Sequence, residues 1–150
     1  TDAQMPAGSV LQVVHGSYST SVTVNSGVST FVSTGASLAI TPSSTSSKIL
    51  VMFNQHVKID RGGGDQGAGF AIKRNSTTVW STPVAYAFYS FTGGSNNTDT
   101  RLYQPLTYLD SPNTTSATTY TSYLNEYGAG TAVAQGDSNP TNITLMEIAG

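Results

Sequence analysis

Turn-forming residues set the limit on what this chain can fold into. Gly, Pro, Asn, Ser and Thr interrupt all 150 positions about every ten residues, and no long window keeps the 3.6-residue apolar period of an amphipathic helix. Between the interruptions lie short runs rich in Val, Ile, Thr, Tyr and Phe. They fall at residues 10–15, 19–24, 28–32, 37–41, 48–59, 68–74, 77–80, 84–91, 101–110, 118–126 and 142–148. Short strands at about 8–12-residue spacing with turns between them signal a sandwich or barrel. The expectation is all-β: a jelly-roll β-sandwich of about 8–10 antiparallel strands. It forms a single domain over residues 9–150, with residues 1–8 as a linker.

Such a chain is kept in solution by hydroxyls and amides. Charged residues are 9% of the sequence, against an average share of about 25%. The formal charge of −2 leaves no basic footprint for nucleic acid. No apolar stretch approaches the roughly 20 residues that cross a bilayer as a helix, so membrane insertion is not expected. The absence of cysteine excludes disulfides and thiolate metal sites.

The run from Lys48 carries the most information. Ser43-Ser44-Thr45-Ser46-Ser47 switches abruptly into Lys48-Ile49-Leu50-Val51-Met52-Phe53, after a turn at Thr41-Pro42. Alternate strand residues face opposite sides, so Ile49, Val51, Phe53, Val57 and Ile59 form one apolar face, the predicted core side. The other face opens with Leu50 and Met52 and turns polar through Asn54, His56 and Lys58. A face turned to water is polar throughout. Two readings follow: either the same subunit covers Leu50 and Met52, or another subunit does. Residues 84–91 and 118–127 are also apolar on both sides, with Tyr86 and Phe88 opposite Tyr89 and Phe91, and Tyr120 and Leu124 opposite Tyr123 and Tyr127. Tyrosine suits interfaces because it combines a large ring with a hydroxyl. Leu50, Met52, His56, Tyr89 and Tyr123 are therefore the candidate contacts of a homotrimer packed through one sheet face.

Motifs for chemistry are weak. Gly62, Gly64 and Gly67 match G-x-G-x-x-G, but the residues that follow resemble a strand rather than the helix a dinucleotide site needs. Residues 60–67 are read as a wide hairpin loop. Asp60 and Asp65 lack the carboxylate spacing of a calcium loop. His15 and His56, the two histidines, fall short of a zinc ligand set. The carboxylates form no recognisable catalytic pair, and no G-x-S-x-G elbow is present. No metal, cofactor or enzymatic activity is expected. What remains is recognition by loops on a rigid β-scaffold. The candidates are Asp60, Arg61, Asp65 and Gln66 in the glycine-rich stretch, Trp80 near a turn, Phe91, Asn96, Asn97 and Asp99 in the next long turn, and Tyr127.

The switch at residues 43–53 has companions in Tyr108-Leu109-Asp110-Ser111-Pro112, in the terminal Ile143-Thr144-Leu145-Met146-Glu147-Ile148-Ala149-Gly150, and in the opening Met5-Pro6-Ala7-Gly8-Ser9-Val10. Together these resemble the C-terminal domain of bacteriophage tail-fibre proteins, a fibre-like structural class with a tumour-necrosis-factor-like trimeric jelly roll. The resemblance implies a homotrimer at the distal end of a tail fibre, binding a host cell-surface glycan or outer-membrane receptor without turnover. It also implies attachment to the rest of a fibre or capsid, assembly in the host cytoplasm and residence in the virion. A capsid decoration or head-fibre protein is the alternative, and a secreted trimeric adhesion module a second one.

Overall fold

The computed structural model describes residues 5–26, 30–83, 87–128 and 130–150, with residues 61–63 and 92–98 described as backbone only. The described residues form nine strands: β1 (Val10–Tyr18), β2 (Val22–Val24), β3 (Val32–Ile40), β4 (Lys48–Arg74), β5 (Thr77–Ser81), β6 (Phe88–Asp110), β7 (Thr118–Gly128), β8 (Thr131–Ala134) and β9 (Thr141–Ile148). One 3-10 turn, Gly136–Ser138, joins β8 to β9.

The 27-residue β4 serves both layers of the sandwich. Residues 48–60 lie between β9 and β8 on one side and β6 on the other, and β1 closes the far edge beyond β9. Residues 66–74 pair with β7, which carries β3, and residues 71–74 pair on their other edge with β5. Leaving aside the short β2 and β8 and counting β4 as two arms, the eight remaining strands give sheet orders of first-eighth-third-sixth (β1, β9, β4, β6) and second-seventh-fourth-fifth (β3, β7, β4, β5). That is the jelly roll, and every pairing in it is antiparallel.

This corrects the reading of residues 60–67 as a hairpin loop. The ladder to β6 runs on through Asp60↔Asp99 and Gly62↔Asn97, shifts register, and resumes at Gly64↔Thr92. Gly64 has φ +84°, the left-handed conformation that a glycine bulge supplies. The glycines therefore let one strand pass between sheets, and the stretch around residues 91–99 is ladder rather than turn. Residues 19–21 do not join β2, residues 37–40 merge into β3, and β8 lies where turns were expected. The expected strands at 28–32 and 84–91 fall partly outside the described residues, as do residues 1–4 of the linker.

Register makes the core. Val14, Leu145, Val51 and Tyr108 form one row across the first sheet, and Gly16, Ile143, Phe53 and Leu106 the row two residues on. Facing them from the second sheet are Phe70, Ile72, Leu124 and Tyr120. All five residues assigned to the core face of the long strand are buried. Between the layers runs a chain of buried polar groups. Gln55 Nε2 donates to Thr141 Oγ1 and to the His56 carbonyl, both at 2.8 Å, and Gln55 Oε1 accepts from Ser122 Oγ at 2.6 Å. The Ser122 hydroxyl in turn meets Thr34 Oγ1 at 2.5 Å. These bonds link β9, β4, β7 and β3, so they fix how the two sheets sit face to face.

Two latches close one end of the sandwich, on either side of Ile49. Asp110 accepts both Arg74 Nη1 (2.8 and 3.0 Å) and the Tyr120 hydroxyl (2.7 Å). Burial, reinforced by Asp110, drives the Tyr120 phenol well above its ordinary range. Glu147 accepts from the backbone N–H and hydroxyl of Ser43, both at 2.7 Å, and from Gln12 Nε2 at 2.6 Å. Burial alone would raise its pKa, but the donors led by Ser43 prevail and hold it at about 2.

Two predictions follow from these buried groups. Gln55→Leu removes three buried hydrogen bonds, leaving Ser122 only its Thr34 contact, and should lower unfolding free energy by about 2–4 kcal/mol in urea melts. A smaller loss than 1 kcal/mol would show that the network does not hold the sheets. The Glu147 carboxyl is held below the ordinary glutamate value of 4.5, so its stabilisation is present above that pH and is lost as pH falls toward 2. In acid titrations followed by circular dichroism, Glu147→Gln should be less stable at neutral pH and should lack most of the parent's loss in that window.

Candidate functional site

Paired residues on adjacent antiparallel strands point to the same face, so register also sorts the outer surfaces. On the first sheet, Val13, Met146, Leu50 and Leu109 are in line across all four strands. Val13 is 55% exposed and Leu109 48%, while Leu50 and Met146 are half-buried. Leu11, at the register shift of β1, is also exposed. Met52, half-buried, lies in the next row between Thr144 and Thr107.

Farther along the same face the rows become His56↔Tyr103, Lys58↔Arg101 and Asp60↔Asp99. Like charges opposed across strands repel, and the chain relieves this locally. Lys58 Nζ lies 3.0 Å from Asp60, and Arg101 lies 2.7 Å from Asp99. Asp137, from the 3-10 turn, bonds Arg101 Nε and lies 3.9 Å from Lys58 Nζ. It thus bridges the two cations, and the Arg101 hydrogen bond holds its carboxyl below the usual range. The turn adopts positive φ at Gln135, Asp137 and Ser138, a conformation L residues accept only when their surroundings impose it. Gly136 is required because a Cβ there would meet Lys58 Cβ at 2.8 Å.

His56 sits beside this turn, 2% exposed, with its ring edge-on to Tyr103 at 4.9 Å and its Nδ1 buried without a partner. Burial lowers its pKa; nearby Asp137 opposes the shift and Arg101 adds to it.

The second sheet presents a different face. Gly67 of β4 is paired with Tyr127 on one side and Tyr89 on the other. The two ring centroids are 6.0 Å apart at 59°. In the next row Asp65 is paired with Phe91, which is 68% exposed. Gly128 has φ +96°, and a Cβ there would drive into the Asp65 carbonyl. Tyr123 is paired with Ala71, two rows away from Gly67, and Lys73 Nζ from the row beyond lies 4.3 Å above its ring.

The sequence-based candidates are thus divided. Asp60 and Asp99 belong to the charged end of the first sheet, each ion-paired. Asp65, Phe91 and Tyr127 meet on the second. Gln66 points inward and is 1% exposed, and Trp80 pairs with Ile72 and packs on the core; neither is offered to a ligand. The side chains of Arg61, Asn96 and Asn97 lie outside the described residues. Among the interface candidates, Leu50 and Met52 share the apolar band, whereas Tyr89 and Tyr123 lie on the opposite outer face. One sheet face therefore cannot use all five, and His56 is closed in by its own chain. Val13, Leu109 and Asp137 were not singled out. Val13 and Leu109 have ordinary alternation in their own strands, and only the pairing of β1 and β6 with their neighbours aligns them with Leu50.

No protein-family model matches the chain, and no curated protein matches it. Solved structures from infectious bursal disease virus are similar in part. A Gt strain structure has 14% identity and a TM-score of 0.39, covering 100% of this chain and 42% of that one. A VP2 subviral particle has 16% identity and a TM-score of 0.38, covering 93% and 38%. The chain spans less than half the length of these proteins. The jelly-roll assignment rests on the strand order itself.

A pKa lowered from 6.5 at His56 means the unfolded chain takes up its proton first. Stability should therefore be intact above that pH and fall as pH drops below it. His56→Phe, which keeps the ring against Tyr103, should flatten the decline in melting temperature between about pH 7 and about pH 5. An unchanged slope would show that another group titrates there.

Proposed function

We propose that this chain is a non-enzymatic structural and adhesion module of a virus particle, acting as a homotrimer at the distal end of a bacteriophage tail fibre. The observation that carries the reading is the apolar row Val13–Met146–Leu50–Leu109, which crosses the full width of the first sheet. A threefold contact is heterologous: each subunit offers two different patches, one to each neighbour. A row exposed at both ends, with Val13 at the β1 edge and Leu109 at the β6 edge, supplies both. Beyond the Met52, Asn54 and His56 rows the same face ends in the ion-paired cluster around Asp137, a polar rim of the kind such interfaces carry. The resemblance of residues 43–53, 108–112 and 143–150 to phage fibre domains supports the same assembly, and it supports a host-surface glycan as the adhesion target.

Light scattering coupled to size-exclusion chromatography tests the assembly. The expected species is near three times 15.6 kDa. Leu50→Asp should reduce it to one, with strand content retained, because an unpaired charge in an apolar contact costs several kcal/mol. A monomeric parent protein overturns the reading. Gold-labelled antibody on intact particles should mark fibre tips; label over the head would favour capsid decoration instead.

A further inference from the structure

We infer that the outer face of the second sheet holds a glycan subsite, an aromatic ledge formed by Tyr127, Tyr89 and Phe91 around the glycine floor of Gly67, with Asp65 as its polar partner. The inference rests on the adhesion reading and gives that reading a location.

The geometry follows from one missing side chain. Tyr127 and Tyr89 lie on the two strands that flank β4, so their backbones are separated by about twice the inter-strand spacing of roughly 4.8 Å. Any side chain at Gly67 would stand between them. With none there, the rings lean together to 6.0 Å between centroids, tilted by 59°, and cover Gly67, which is buried beneath them. Phe91 continues the ledge by one row and is the most exposed large apolar side chain among the described residues, at 68%. Asp65 stands beside it in register.

The chemistry selects the occupant. Aromatic faces bind flat or gently puckered apolar surfaces, and tyrosine adds a hydroxyl at the rim. Asp65 accepts hydrogen bonds and repels anions, which disfavours phosphates and nucleic acid on a chain of charge −2. Three aromatic side chains of about 150–250 Å² each, all of them already covered in part, offer less than the roughly 800 Å² per partner of a standard protein interface. A neutral pyranose fits on every count: its C–H face stacks on a ring while its hydroxyls meet the carboxylate and the phenols. Three such sites on one trimer turn weak individual contacts into avidity, by roughly 10²–10⁴ in favourable geometry.

The test uses the whole domain and three neutral hexasaccharides, maltohexaose, chitohexaose and xylohexaose, titrated into the millimolar range while the aromatic resonances are followed by NMR. At least one should shift the Tyr89, Phe91 and Tyr127 ring signals together. Phe91→Ala, at an exposed position that leaves folding intact, should weaken that binding at least tenfold, and Tyr89→Ala should do the same. Absence of any shift at these rings overturns the ledge. Binding that persists in both variants, with shifts around Asp60, Asp99 and Asp137 instead, also overturns it while leaving the adhesion reading standing. A monomer with an intact ledge signal would sink the trimer and keep the subsite.

Discussion

The hydrogen-bond ladder of β4 is the constraint on which the rest of this sandwich depends. A strand of 27 residues normally exceeds what one twisted layer accommodates, and here it works by changing layers partway. Gly64 takes the positive φ that the bulge requires, and the register shift against β6 absorbs the bend. Because both halves belong to one strand, the layers cannot slide independently. Each neighbour of β4 inherits its facing direction, since a one-residue slip would turn a whole strand inside out.

The polar core makes sense in that light. Gln55 is in the middle of the half-strand that belongs to the first sheet, and its amide reaches Ser122 in the second. An apolar residue there would pack as well, but hydrophobic contact is indifferent to small translations whereas a fully bonded amide is not. The latches at Asp110 and Glu147 act in the same manner at one end, tying β4 to β6 and β7, and β9 to the turn that precedes β4. With layers and ends both pinned, the outer surfaces are free to specialise: apolar and ion-paired on one, aromatic over glycine on the other.

How much of this was legible in the sequence depends on the range of the interaction involved. The core face of residues 49–59 could be read from alternation alone, because strand periodicity is a local property. The passage at residues 60–67 could not, since glycine clusters mark turns and bulges alike, and only the partner strand decides between them. The facing of Trp80 was unreadable for a related reason: it sits near a turn, and only its pairing with Ile72 sets it, partly buried, against the core. Leu50 and Met52 stood out as apolar on the wrong side. Val13 and Leu109 did not, because their alignment with Leu50 exists only after distant segments have paired. Tyr89 and Tyr123 were correctly singled out as unusual, yet the face they belong to was not readable without the strand order.

The pairing of β1 with β9 has a bearing on the order of events during synthesis. Gln12 and Glu147, joined by a hydrogen bond, are 135 positions apart, so the first strand waits for nearly the last residues before it finds its place. Until then Val13 has no neighbour in Met146, and the apolar row across the first sheet does not exist. A chain synthesised only as far as β8 thus lacks the apolar row. Copies at that stage cannot meet through it, and any association across this face waits until β9 has paired with β1.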